Sequence, residues 1–426
     1  MIREKEYKTR RDLLVEKLSN NSVAIIFSAT NKTRSNDTEY PYRQDSNFYY
    51  LTGFKEDNSA LVFIKTKDEV KSILFVQRKD KNIELWNGKR LGIKKAEQRF
   101  KVDKVYESDD IKTKLKKFLL DKKSLYCDLK SDDKKVKKSL SYAKNLKNHK
   151  NISYLIQEMR LKKSQSEIEL IQKAIDITAQ AHHHAMSAKK IGKKEYELQA
   201  EIEYVFKKNG AYSDAYTSIV AGGNNANTLH YIKNNKLLSD NELILIDAGS
   251  EYDYYASDIT RTIPVNGKFT RPQKDIYNLV LDTQLKIIKM IKPGVKRTKL
   301  QEKAEVLLTK GMISLGVLKG SCKKLIKKNK HKKYYPHGIG HWMGIDVHDP
   351  APYLDKEKNE IPLSDGIILT IEPGIYIDKD DKTVPKKYRG IGVRIEDDIL
   401  VTKNGYKNLS SKIAKTIKEV ESISSN

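Results

Sequence analysis

Cysteine is nearly absent from this 426-residue chain: Cys127 and Cys322 stand far apart, with no C-x-x-C pair. That excludes a disulfide framework and a zinc knuckle. No run of about 18 apolar residues occurs, so no segment reads as a membrane-spanning helix. The opening stretch MIREKEYKTRRDLL is charged throughout and lacks the apolar run of a secretion signal. These absences predict a cytoplasmic protein with no membrane partner. Arginine is scarce as well: the 82 basic residues divide into 68 Lys and 14 Arg, although the net charge is +26. A nucleic-acid reader leans on Arg for forked contacts to bases and phosphates. The Lys excess, dense at Lys319 to Lys333, therefore reads as solvated surface, and nucleic acid is not the expected partner. There is no short-period repeat, and no G-K-[ST] follows Gly222-Gly223 to make a phosphate loop.

What is present suggests two folded domains. The hydrophobic share of 38% is enough for packed cores, and this length exceeds one ordinary core. In the first third, SVAIIFSA (Ser22–Ala29), SALVFIKT (Ser59–Thr66) and KSILFVQR (Lys71–Arg78) have the length and the Val/Ile/Phe content of strands. The aromatic segment Glu39–Phe54 is expected to be mostly extended, and Asp109–Leu120 to be an amphipathic helix. An α/β domain over residues 1–156 fits. Beyond it, Ser164 and Glu167 are spaced as a capping box opening a long helix, and a second helix ends near Gly210. Strands are predicted at Ser218–Ala221, Glu242–Ala248, Ala256–Pro264, Gly366–Ile377 and Gly392–Val401. Helices are predicted at Pro272–Ile291 and Lys299–Leu315, with Pro293-Gly294 breaking the chain between them. Residues 157–426 therefore read as an α+β domain of largely antiparallel strands.

Four features carry chemistry. In ELILIDAGSEYDYYASDITRTIPVNG (Glu242–Gly267), Asp247 ends an apolar strand and Asp258 lies eleven residues on. A turn near Tyr252 and Asp253 would set the two carboxylates opposite each other on one face. They repel unless a cation lies between them; a plain hairpin with solvated Asp residues is the other reading. YYPHGIGHWMGIDVHDP (Tyr334–Pro350) holds His337, His341 and His348 among glycines. Glu372 in IILTIEPGIYI and Glu396 in IGVRIEDDILVT each interrupt an apolar strand. Either is explicable alone as the partner of a Lys or Arg. Taken together, four carboxylates and one imidazole suit Mn²⁺, Zn²⁺ or Co²⁺ and a two-metal hydrolase. The triplet His182-His183-His184 points three ways from a helix and reads as helix surface and core edge.

The order Asp247, Asp258, His341, Glu372, Glu396 in these contexts resembles the pita-bread metallopeptidases, which include methionine aminopeptidase, prolidase and aminopeptidase P. NDTEYPYRQDSNFYYLTGF (Asn36–Phe54) and the segment around Glu84, Leu85 and Trp86 resemble the aminopeptidase P branch, whose creatinase-like N-terminal domain methionine aminopeptidase lacks. The resemblance implies a C-terminal pita-bread domain whose five ligands hold two divalent ions, usually Mn²⁺. It implies hydrolysis of the bond between an N-terminal residue and a proline at position two. Glu372 would move the proton, His230 and His348 would steady substrate and intermediate, and His337, Tyr376 and Arg394 would surround the proline pocket. It further implies a homodimer or homotetramer whose N-terminal domains complete neighbouring sites. Where many relatives carry an acidic residue just before the Phe, this chain has Asn47, with Asp45 two residues earlier. The rival readings are a prolidase restricted to Xaa-Pro dipeptides, a non-catalytic pita-bread binding protein, and a metal-free creatinase-like amidinohydrolase. The five intact ligands argue against the last two.

Overall fold

The computed structural model of the protein describes residues 2–424. The chain forms two compact units, Met1–Arg160 and Leu161–Asn426. No helix among the described residues is long and apolar enough to cross a membrane.

The first unit is built on a six-stranded mixed sheet. Its order is Lys104–Glu107, Val70–Val76, Ala60–Lys65, Ser22–Phe27, Ser124–Cys127, Asn148–Asn151. The three apolar runs of the sequence supply its central strands, and Val23, Ile25, Val62, Ile73, Phe75 and Leu125 pack into one core. One expectation fails here. The segment Glu39–Phe54 is not mostly extended, because Ser46–Thr52 is a helix. The Asp45 side chain accepts from Phe48 N and starts it, and Gly53 at φ 63° ends it in the left-handed conformation. Arg10 and Arg11 donate to the carbonyls of Tyr50 and Leu51 at its end. Aromatic content suggested strand; the cap at one end and the glycine at the other decided for helix.

The second unit is α+β. Ser164 and Glu167 form the capping box of the helix Gln165–Ser187, and further helices span Glu195–Lys208, Arg271–Ile288 and Arg297–Ser314. One antiparallel sheet has the order Ile219–Gly222, Leu243–Asp247, Thr260–Pro264. Another has the order Ile368–Ile371, Asp397–Thr402, Gly405–Asn408. The pair Gly374–Tyr376 and Gly392–Arg394 is separate. A single core including Ile177, Leu198, Ile246, Ile263, Ile276 and Ile399 joins helices to sheets.

Three of the long strands expected from sequence are interrupted. Ala256–Pro264 breaks over 257–259, Gly366–Ile377 breaks at 372–373, and Gly392–Val401 breaks at 395–396. Each interruption contains one acid: Asp258, Glu372 or Glu396. Leaving the ladder there frees the backbone to aim the side chain, and Pro373 has no N–H to continue the pairing.

Candidate metal centre

The hairpin sets the first two carboxylates. Its turn is Asp253-Tyr254, both at positive φ, between the paired residues Tyr252 and Tyr255. The turn therefore lies one residue later than the sequence suggested. Asp247 pairs with Thr260, not with Asp258. Asp258 stands two residues earlier on the return segment, diagonal to Asp247 and, by the period of two, on the same face. Tyr216, which no local pattern singles out, donates to Asp247 Oδ1 at 2.6 Å or Asp258 Oδ1 at 2.7 Å, lying in reach of both.

The other candidate ligands arrive on neighbouring extended segments. Thr370 N donates to His341 O and Glu372 N to Ile339 O, laying the histidine segment along the Glu372 strand. Glu396 N donates to Thr260 O and docks the last acid beside the hairpin. His341 Nε2 then lies 3.2 Å from Asp258 Oδ2 and 3.8 Å from Glu372 Oε1. Its Nδ1 faces Trp342 O at 3.0 Å, a bond that orients the ring and leaves Nε2 toward the acids. A Cβ on Gly340 would sit 1.9 Å from Thr370 O, so only glycine permits this approach. Gly340→Ala is expected to push His341 away from Glu372, lowering activity at least tenfold; steady-state kinetics on purified protein with a normal circular-dichroism spectrum checks it.

Asp247, Asp258, His341, His348, Glu372 and Glu396 fall into three overlapping groups of possible ligand atoms: Asp258, His341 and His348; His341, Glu372 and Glu396; Asp247, Asp258 and Glu396. Within each group the atoms lie within 4.8 Å of one another. The electrostatics agree with a cation site. Burial and the neighbouring Asp258 and Asp247 carboxylates push Glu372 up to about 7, against the pull of His341 and Arg394. Burial and the same acids hold Glu396 well above the usual carboxylate range. Asp247 is also raised, by burial, even though Arg394 opposes the shift. Burial opposes charge on His341, but Asp258 and Glu372 outweigh it and raise it to about 9. Side chains alone leave this much like charge uncompensated, and divalent ions with oxygen and imidazole donors are what the donor set fits.

The remaining predicted residues surround the same cavity, about 410 Å³ in volume. His230, beside Leu229, and His348 line it; the His348 ring centroid is 4.2 Å from that of His341. His337 lines it too, and burial together with Arg394 lowers its pKa to about 4, so it is neutral at pH 7. Its Nδ1 then donates to Gly338 O, and its Nε2 accepts from the Tyr376 hydroxyl at 2.8 Å. Tyr376 is set behind His337 and receives a bond from Arg394 Nη1 at 3.0 Å. Arg394 also donates to Asp247 Oδ2 at 2.6 Å and to Thr260 Oγ1 at 3.0 Å. Thr260 in turn donates to Glu396 Oε2 at 2.7 Å. Besides Tyr216, the sequence reading passed over Thr260 and Asp398, whose carboxylate accepts from Asp258 N at 3.1 Å. Thr260 shares a face with Asp258 two residues on, a period-two signal that could have found it. Asn47, in the first unit, accepts from Arg160 Nη1 at 2.8 Å, and Asp45 is engaged as the helix cap.

An acid-and-histidine cavity among antiparallel strands fits divalent cations, and the comparisons place it in a metallopeptidase. The description "Metallopeptidase family M24" matches residues 169–403, and "Aminopeptidase P, N-terminal domain" matches residues 7–126. The chain belongs to metallopeptidase family M24. Within it, the chain is 41% identical to the Xaa-Pro aminopeptidase of Haemophilus influenzae, over 98% of this chain and 96% of that protein. It is 40% identical to the Escherichia coli Xaa-Pro aminopeptidase, over 99% and 98% of the two. The proline aminopeptidase P II of Yersinia pestis superposes with a TM-score of 0.95, at 38% identity and full coverage of both chains. E. coli aminopeptidase P with the inhibitor Pro-Leu gives a TM-score of 0.94 at 38% identity, covering 99% of this chain and 98% of that one. Another E. coli aminopeptidase P structure is zinc-substituted and in complex with product.

Proposed function

We propose that this protein is an Xaa-Pro aminopeptidase, hydrolysing the bond between the N-terminal residue of a peptide and a proline at position two. The observation that carries the reading is the convergence of Asp247, Asp258, His341, Glu372 and Glu396 on one cavity, in a chain matched end to end by Xaa-Pro aminopeptidases.

These five residues would hold two divalent ions, with Mn²⁺ as the metal. Such ions polarise a carbonyl and make water a nucleophile near neutral pH. Glu372 takes the proton from the attacking water and delivers it to the leaving imino nitrogen. His230 and His348 donate to the carbonyl oxygen as charge develops on it. Neutral His337, fixed by Tyr376 and Gly338, walls the proline pocket with Leu229 and Tyr353. Arg394 favours the ionised form of Asp247 against the effect of burial, and it braces Tyr376.

The protein works in the cytoplasm as a homodimer or homotetramer, and the N-terminal domain, residues 1–156, supplies its contacts and completes neighbouring sites. Leu85 and Trp86, on the helix Lys81–Asn87, support this: they are 82% and 85% exposed, unusual for large apolar side chains unless something covers them.

Assay of Ala-Pro-Ala and Ala-Pro with added Mn²⁺ tests the substrate class. Release of alanine from the tripeptide is expected. Cleavage of the dipeptide alone would convert the reading to a prolidase, and cleavage of neither would defeat it.

A further inference from the structure

We propose that Glu195 is a positioning residue that holds His230 at the cavity; the proposal rests on the role given above to His230. Glu195 opens the helix Glu195–Lys208 and is fully buried, yet among the described residues it forms no ion pair. Its carboxylate is filled instead by four donors from one segment. Oε1 accepts from Gly222 N at 2.7 Å and Asn225 Nδ2 at 2.9 Å. Oε2 accepts from the Tyr231 hydroxyl at 2.7 Å and Lys236 N at 2.8 Å. These donors span residues 222–236, and His230 lies between them.

One turn further along the same helix face, Gln199 Oε1 accepts from Asn234 Nδ2 at 2.7 Å. Asn234, at φ 43°, also donates to Ser218 O and accepts from Val220 N, closing the segment back onto the strand before it. That strand pairs Ile219 with Asp247. The helix thus gathers both ends of the segment and the tyrosine adjacent to His230, referencing the histidine to the sheet that carries a metal ligand. A buried carboxylate accepting four bonds is a rigid anchor, because each donor would be left unsatisfied if it moved. Among the described residues His230 makes no hydrogen bond or ion pair of its own, so the bonds to the residues around it, Tyr231 first, are what place it at the cavity edge. Glu195 touches no substrate and acts only through His230.

A double-mutant cycle on the full-length Mn²⁺ enzyme with Ala-Pro-Ala tests this. His230→Ala is expected to lower kcat by about 10²-fold. Glu195→Gln, whose amide can satisfy only part of the donor set, is expected to lower kcat by about tenfold with KM within about twofold. Tyr231→Phe, which removes one hydroxyl and serves if Glu195→Gln does not fold, is expected to lower kcat about threefold. In the His230→Ala background both substitutions should cost less than about twofold, because their effect runs through a side chain no longer there. Hydrogen exchange should rise in residues 222–236 of Glu195→Gln and stay unchanged in the helix Arg271–Ile288. Equal losses in both backgrounds, or a fully active Glu195→Gln, overturn the positioning role while leaving His230 in place. A fully active His230→Ala removes the His230 assignment and this proposal with it.

Discussion

Glu372→Gln is expected to lower kcat on Ala-Pro-Ala by about 10³-fold, within the range a positioned proton carrier supplies. Lost packing does not explain such a loss. Gln matches Glu in volume, and the neighbouring Pro373 and the bond from Glu372 N to Ile339 O fix the backbone in either case. What the amide removes is a charge and a titration. The carboxylate has one oxygen 3.8 Å from His341 Nε2 and the other 3.6 Å from His337 Nδ1, so it borders both the ligand cluster and the proline wall. Burial and its acidic neighbours raise the ion-free carboxyl to about 7, and bound ions would draw that value down. Because Glu372 is also a proposed ligand, bound metal must be measured on the same sample. A variant retaining two ions and more than a tenth of the activity would sink the proton-transfer role.

That these residues come together was largely legible in the sequence. The five ligands stood out because each is an acid or imidazole in an apolar or glycine-rich run, where solvent cannot explain it. What sequence could not supply was register. Period two correctly put Asp247 and Asp258 on one face, but a one-residue displacement of the turn moved Asp258 from opposite to diagonal and put Thr260 in its place. The strand interruptions at Asp258, Glu372 and Glu396 were hidden for a related reason. The flanking residues are as β-prone as any, and the departure from the ladder is decided by contacts between segments far apart in the chain. Tyr216 was invisible because it is one of 24 tyrosines and its partners lie 31 and 42 residues away. The same holds for Arg261, fully buried and bonded to Asp397 at 2.7 Å behind the ligand strands. Local patterns such as the Ser164 capping box and the apolar runs of the first unit carried over with little change, since their causes lie within a few residues. The helix Ser46–Thr52 is the exception that proves local too: its Asp45 cap and Gly53 stop were in the sequence, but the aromatic content outweighed them.

Chelation is expected to abolish activity and, separately, to make folding stability fall as pH rises. With the ions withdrawn, Glu372 in the folded protein holds its proton up to about 7, while the unfolded chain releases it near 4.5. Between those values the folded state binds more protons, so stability declines with pH at roughly 1 kcal/mol per unit for each such group. Asp247 and Glu396, both raised, act in the same direction. His341, raised to about 9, contributes stability that is full below 6.5 and is lost as pH climbs through 9. All four therefore tilt the same way, Glu372 over about pH 4.5–7 and His341 over about pH 6.5–9. Mn²⁺ reverses the effect, since it binds the deprotonated carboxylates of the folded state and its affinity grows as protons leave. Thermal melts in EDTA and in excess Mn²⁺ at pH 5.5, 7 and 8 should show a gap that widens with pH, reaching on the order of 5 °C or more at pH 8. A gap independent of pH would mean that the carboxylates do not form the cation site, whatever the activity measurements say.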